Sequence, residues 1–258
     1  MPFAENEAVK IHYQVEGKGP PVVLIRGFPG SLEFWYKFNY VESLKQKFQL
    51  IMIDKRGHGK SSKPHNPDDY RQKKFASDVI AVLDDLQLEK AHFWGYSFGA
   101  YIGFILAKCY PERFHSFIFG GASPQDLSEE QLEALNGFFE SMRGGLEGYL
   151  AFCEKQGIEI PPERRKEIEG WDFEALKATT LTEDLFKNMG PHLKQLGIPV
   201  LFYAGEEDEW YHHQRQVEFS KEMKNVKVVG IPNHGHEVNQ MKDLVIPHVL
   251  DFLESLDP

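Results

Sequence analysis

The chain has 258 residues, 41% of them hydrophobic and 26% charged, which suffices for a packed core and excludes disorder as its main state. With 39 acidic against 29 basic residues the net charge is -10, a field that repels phosphate backbones and anionic membrane surfaces, so neither nucleic acid nor membrane is an expected partner. Only two cysteines, no apolar stretch near the roughly 20 residues that span a bilayer, and a start lacking the basic and apolar parts of a secretory signal predict a cytoplasmic protein with inert thiols.

From the N-terminus, Val9 to Val15 alternates apolar and polar residues, as a half-exposed strand near a sheet edge does, and Gly17, Gly19, Pro20 and Pro21 then force a turn. Val22 to Arg26, Leu50 to Ile53 and Ala91 to Trp94 read as short buried strands, each stopping at a glycine-rich turn. Between them, Ser31 to Lys47 and Tyr70 to Leu88 carry helical spacing; in the second, Phe75, Val79, Val82, Leu83 and Leu86 fall on one stripe. This alternation predicts an α/β fold with a doubly wound, mostly parallel sheet and helices on both faces. Tyr101 to Cys109 is a mostly apolar helix and Phe117 to Phe119 another strand. From Pro124 to Gly190 no strand pattern appears. There Ser128 to Phe139 and Pro162 to Ile168 are acidic helical segments, and the run is too long for a loop, so it reads as a helical insertion. The sheet resumes at Pro199 to Ala204 and Lys227 to Val229, and Leu244 to Leu256 closes the chain as an amphipathic helix.

Three short motifs carry chemistry. Gly95-Tyr96-Ser97-Phe98-Gly99 matches G-x-S-x-G between a predicted strand and a predicted helix, where glycines permit a strained turn that exposes the serine. Serine at its free pKa is a weak nucleophile; it needs a histidine to take its proton and an acid to fix the imidazole tautomer. Gly205-Glu206-Glu207-Asp208 follows one late strand and Gly235-His236 another, both at carboxyl strand ends, where open α/β sheets build their sites. Position alone singles out His236 among 11 histidines. Glu206 and Glu207 are alternatives to Asp208, and Asp126, after the Phe117 strand, is another. His234 with His236, and His212 with His213, are pairs that no carboxylate or cysteine cluster completes, so no metal is expected.

Together these motifs resemble the α/β-hydrolase superfamily over nearly the whole chain, and within it the serine esterases and lactonases with a helical cap. Arg26-Gly27-Phe28-Pro29-Gly30 resembles the family's oxyanion loop, and Asp54-Lys55-Arg56-Gly57-His58-Gly59-Lys60-Ser61 its D-x-R-G-x-G-x-S segment. The resemblance implies an eight-stranded sheet opened by an antiparallel hairpin of Phe3 to Asn6 and Val9 to Val15. It also implies a core of residues 1–123 and 191–258, with residues 124–190 inserted as a cap between strands six and seven. Carried over by position, Ser97 is the nucleophile, His236 the base, Asp208 the orienting acid, and the backbone N–H groups of Phe28 and Phe98 the oxyanion hole. The implied enzyme needs no cofactor and hydrolyses small-molecule esters, thioesters or lactones. The same triad in relatives supports perhydrolase or haloperoxidase chemistry and C–C bond hydrolysis, and some relatives are ligand receptors with a near-silent triad. Serine at the elbow argues against dehalogenase and epoxide hydrolase chemistry, which needs a carboxylate there.

The family's loop usually begins His-Gly, and here Arg26 stands in the histidine's place. Either it hydrogen-bonds loop carbonyls as a structural substitute, or it faces the pocket and meets a substrate carboxylate with its planar fork. Arg26, Tyr96, Trp171 and Trp210 are the expected substrate-binding residues, while Arg56 and Asp54 read as a structural pair in a turn. The pattern specifies no oligomeric state.

Overall fold

The computed structural model describes residues 2–125, 127–182, 190–208 and 213–256. Its strands are β1 (Phe3–Asn6), β2 (Val9–Glu16), β3 (Pro21–Ile25), β4 (Gln49–Ile53), β5 (Ala91–Tyr96), β6 (Phe114–Gly120), β7 (Val200–Gly205) and β8 (Val226–Ile231). They form one sheet in the order β1-β2-β4-β3-β5-β6-β7-β8. β1 and β2 make an antiparallel hairpin, β2 runs antiparallel to β4, and every later pairing is parallel. The helices are α1 (Glu33–Lys37), α2 (Tyr40–Leu44), α3 (Gln72–Asp85), α4 (Phe98–Cys109), α5 (Glu129–Arg143), α6 (Gly145–Lys155), α7 (Pro162–Glu169), α8 (Phe173–Thr180), α9 (His213–Ser220) and α10 (Lys242–Glu254). Among the described residues no helix is long and apolar enough to cross a membrane.

The sheet separates two apolar layers, and the central strands are buried on both faces because helices cover both. In β5 all six residues are buried: Phe93 joins the α3 and α4 side, while Trp94 and Tyr96 join the side of α1, α2 and α10. This is the two-residue period of a strand, expressed between two cores.

Three local differences from the sequence pattern have physical causes. The single helix expected over Ser31 to Lys47 is two, because Asn39 takes the left-handed φ of 57° that asparagine tolerates better than most side chains. The break lets Trp35 and Tyr40 meet edge to face at 5.2 Å, each also within 5.6 Å of Trp94. β2 is less exposed than its alternation predicts: Ile11 and Tyr13 are buried on one face, and His12 on the other places Nδ1 2.8 Å from Asp54 Oδ2. Between β6 and β7, α5 opens with a capping box in which Ser128 and Gln131 each bond the other's backbone N–H. The pattern missed α6 and α8 there, since α8 buries small residues such as Ala175, Ala178 and Thr179, whose periodicity is faint.

Asp54 and Arg56 do not pair with each other as expected. Asp54 accepts from the Leu32 N–H at 2.8 Å and from His12, whereas Arg56 forks onto Asp78 at 2.7 and 2.6 Å. Each fastens the turn after β4 to a different element, so both carboxylates are fully used in structure.

Candidate active site

β5 ends at Tyr96 and α4 begins at Phe98, so Ser97 makes the turn by itself, at φ 53° and ψ -119°. A side chain held in such a sparsely populated region costs about 1–3 kcal/mol, and the surroundings must hold it there. Ser97 N–H donates to the Gly120 carbonyl at 2.8 Å, and the Ser97 carbonyl accepts from Ala100 N–H at 2.8 Å. The flanking glycines are a packing requirement: a Cβ on Gly99 would lie 2.2 Å from the Ile25 carbonyl oxygen, and one on Gly95 2.3 Å from the Gly99 oxygen.

β3 lies beside β5, and the loop leaving it, residues 26–30, crosses over the serine. A Cβ placed on Gly27 would sit 3.0 Å from Ser97 Cβ and 3.5 Å from its Oγ. The Phe28 ring packs against His58 at 5.3 Å and Phe98 at 6.0 Å, and against Phe138 and Phe139 of α5 at 6.1 Å each, so Phe28 and Phe98 are locked to one another through their rings.

The carbonyls of this loop are tied by a residue that the sequence pattern did not single out. Lys55 Nζ, buried after β4, donates to the carbonyls of Arg26, Gly27 and Gly30 at 3.0, 3.1 and 2.9 Å. The side chain of Arg26 donates to none of them, so the structural role considered for Arg26 belongs to Lys55. Burial, and next the charge of Arg26, pull the Lys55 ammonium down to about 7, with Asp54 opposing. Arg26 stays charged at that pH, Asp54 is a buried carboxylate bonded to His12, and His58 is held far below its ordinary range by burial and by Lys55 itself. As pH rises through about 7, the neutral amine therefore keeps two N–H groups for three carbonyls, and the loop loosens. The expected outcome is a falling limb of kcat above about pH 7 in the wild type. In Lys55→Met, kcat is lower by about 10–100-fold, as an ångström-scale misplacement at an active site costs, and that limb is absent. Matched pH–rate profiles check this; the same limb in both proteins counts against it.

The turns after β7 and β8 bring together a carboxylate and an imidazole. These turns are stitched together, Glu206 N–H to the Ile231 carbonyl at 3.0 Å and Glu207 N–H to the His234 carbonyl at 3.0 Å. Asp208 is fully buried, and its Oδ2 accepts from His236 Nδ1 at 2.9 Å, while Glu206 and Glu207 are exposed. The His236 side chain is 34% exposed and so within reach of a ligand. Asp126 lies outside the described residues. Tyr96, expected to touch substrate, does not: it is fully buried, and its hydroxyl donates to the His236 carbonyl at 2.7 Å. Burial, and next the Asp208 carboxylate, push this phenol far above its ordinary range, so it remains a donor and holds the histidine loop to the end of β5. His234 Nδ1 lies 2.8 Å from the Pro232 carbonyl within its own turn.

A family model described as alpha/beta hydrolase fold matches residues 20–149. The chain belongs to the α/β-hydrolase family. The 3-oxoadipate enol-lactonase 2 of Acinetobacter baylyi is 27% identical to it, over 78% of this chain and 76% of that protein. Est816, described as an N-acyl homoserine lactone degrading enzyme, superposes with a TM-score of 0.77 at 26% identity, covering 97% of this chain and 99% of the other. A thermophilic esterase from Thermogutta terrifontis superposes with a TM-score of 0.82 at 23% identity, covering 100% and 99%, a likeness of fold.

In this α/β-hydrolase, two cavities separate the strand-end loops from the helices between β6 and β7. One, of ≈ 570 Å³, is lined by Arg26, Phe34, Tyr149 and Arg164 among others. The second, of ≈ 170 Å³, is lined by His58, Lys63 and Trp171. Trp171 is flanked by the Tyr149 ring at 5.4 Å and by the Arg164 guanidinium at 5.0 Å, so its indole is one wall between helices and loops. Trp210 lies outside the described residues.

Proposed function

We propose that the chain is a serine hydrolase of small carboxylic esters or lactones. The observation that carries this reading is Ser97 on its strained turn, beside strand ends that present a buried Asp208 bonded to His236. Ser97 Oγ attacks the substrate carbonyl as His236 takes its proton, and the buried Asp208 stabilises the imidazolium that forms. The N–H groups of Phe28 and Phe98 receive the oxyanion. Collapse of the tetrahedral adduct passes the proton from His236 to the leaving alcohol. Water, activated by the same imidazole, then releases the acid from Ser97. The activities of the enol-lactonase and of the lactone-degrading Est816 support the ester and lactone class. Residues 124–190 serve as the cap: α5 packs on Phe28, and α6 and α7 wall the larger cavity.

A panel of p-nitrophenyl esters of rising acyl length, read with fluorophosphonate labelling, tests the reading. The expected result is steady turnover and stoichiometric labelling at Ser97. At most a few turnovers across the panel fits a receptor instead. The rate falls on acidification, because an imidazolium cannot accept the serine proton, and EDTA leaves it unchanged. Activity lost to EDTA and restored by zinc would overturn the serine mechanism.

A further inference from the structure

Arg26 follows β3 half-buried, its guanidinium carbon 3.9 Å above the Phe34 ring. Among the described residues its side chain makes no hydrogen bond and no ion pair. Two neighbouring cations are occupied, Lys55 by three carbonyls and Arg164 by Glu167 at 2.5 Å, and Lys37, the other cation on the cavity, is half-buried beside the Phe38 ring. Burial pulls the Arg26 guanidinium down to about 10, which leaves it charged at neutrality and short of water. A charge in that state is costly unless a ligand supplies both the opposite charge and acceptors for its N–H groups.

Stacking on Phe34 covers a face of the guanidinium and leaves the in-plane donors for the ≈ 570 Å³ cavity that Arg26 lines. A planar carboxylate matches that fork with two parallel, charge-assisted hydrogen bonds. The cavity's own carboxylates do not fill the role. Glu167 is paired with Arg164, and Glu33 and Glu159 are exposed and form no ion pair with Arg26. Arg26 also immediately precedes Gly27, where an added Cβ would lie 3.0 Å from Ser97 Cβ and 3.5 Å from its Oγ, so Arg26 and Ser97 meet at the same loop.

We propose that Arg26 binds a second, unreactive carboxylate of the substrate, so that this hydrolase takes esters or lactones of dicarboxylic acids. For the reacting end this rests on the serine-hydrolase reading above. The whole-molecule charge of -10 repels free anions, so the preference comes from the local fork and not from long-range steering.

The test compares 4-nitrophenyl hexanoate with mono(4-nitrophenyl) adipate, which has the same acyl length and differs by a terminal carboxylate. The wild type is expected to favour the adipate ester at least tenfold in kcat/KM. In Arg26→Gln that ratio falls about tenfold, mainly through KM, which corresponds to about 1.4 kcal/mol. Free adipate binds the wild type by calorimetry and binds Arg26→Gln at least tenfold more weakly. A wild-type ratio at or below one, or a ratio and an adipate affinity that ignore the substitution, overturns the proposal. If neither ester is turned over and fluorophosphonate fails to label Ser97, the hydrolase reading fails instead, and adipate binding still judges Arg26.

Discussion

Ser97→Ala is expected to lose about 10⁵-fold or more in ester turnover while keeping its fold. Removing Oγ removes the atom that forms the acyl bond, and the groups left behind accelerate the reaction only weakly over water. The retained Cβ still fills the space beside Gly27, where it lies 3.0 Å from the position a Gly27 side chain would take. Thermal melting should therefore differ little between Ser97→Ala and wild type. Ser97→Gly goes further: at φ 53° and ψ -119° glycine relieves the strain, so this variant should be as inactive as alanine yet more stable, by about 1–3 kcal/mol. Denaturant melts of the three proteins, read beside steady-state rates, check both halves. Turnover near the wild-type level in either variant contradicts Ser97 as nucleophile.

The site residues differ in how far sequence could announce them, and the reason is geometric. Ser97, Asp208 and His236 stand in glycine-containing turns at strand ends, so local pattern places them, and the 2.9 Å contact between Asp208 and His236 joins two such turns. Lys55 stands in a variable position of its motif, and its role exists only because a loop 25 to 29 residues earlier brings three carbonyls to one ammonium. No local pattern encodes that. Tyr96 misled for the opposite reason: an aromatic beside a nucleophile reads the same whether it faces a pocket or a core, and here the strand period turns it into the core. The helices between β6 and β7 were half legible. α5 carries its own capping signal, whereas α8 depends on tertiary packing of alanine and threonine.

Asp208→Asn should lower kcat by about 10⁴-fold, the scale on which loss of tautomer control disables a Ser-His-Asp arrangement. Asp208 is fully buried and accepts from His236 Nδ1, which puts the ring proton on Nδ1 and leaves Nε2 bare to receive the serine proton. An asparagine that presents its NH₂ to Nδ1 reverses this: Nδ1 becomes the acceptor, the ring proton moves to Nε2, and the base is blocked. If the amide turns its oxygen to the ring instead, the tautomer survives, but the negative charge that stabilised the imidazolium is gone. Both outcomes slow attack, and neither touches the substrate pocket, so KM should change far less than kcat. Fluorophosphonate labelling of Ser97 should slow in parallel, since it draws on the same activated hydroxyl. Glu207→Gln serves as the control, because that side chain is exposed while Asp208 is the one bonded to the imidazole; its kcat should stay within about twofold of wild type. The discriminating comparison is with Asp126→Asn. Should that variant lose about 10⁴-fold while Asp208→Asn remains active, the carboxylate serving His236 is not the one bonded to it here, and the assignment of the acid to the turn after β7 is wrong.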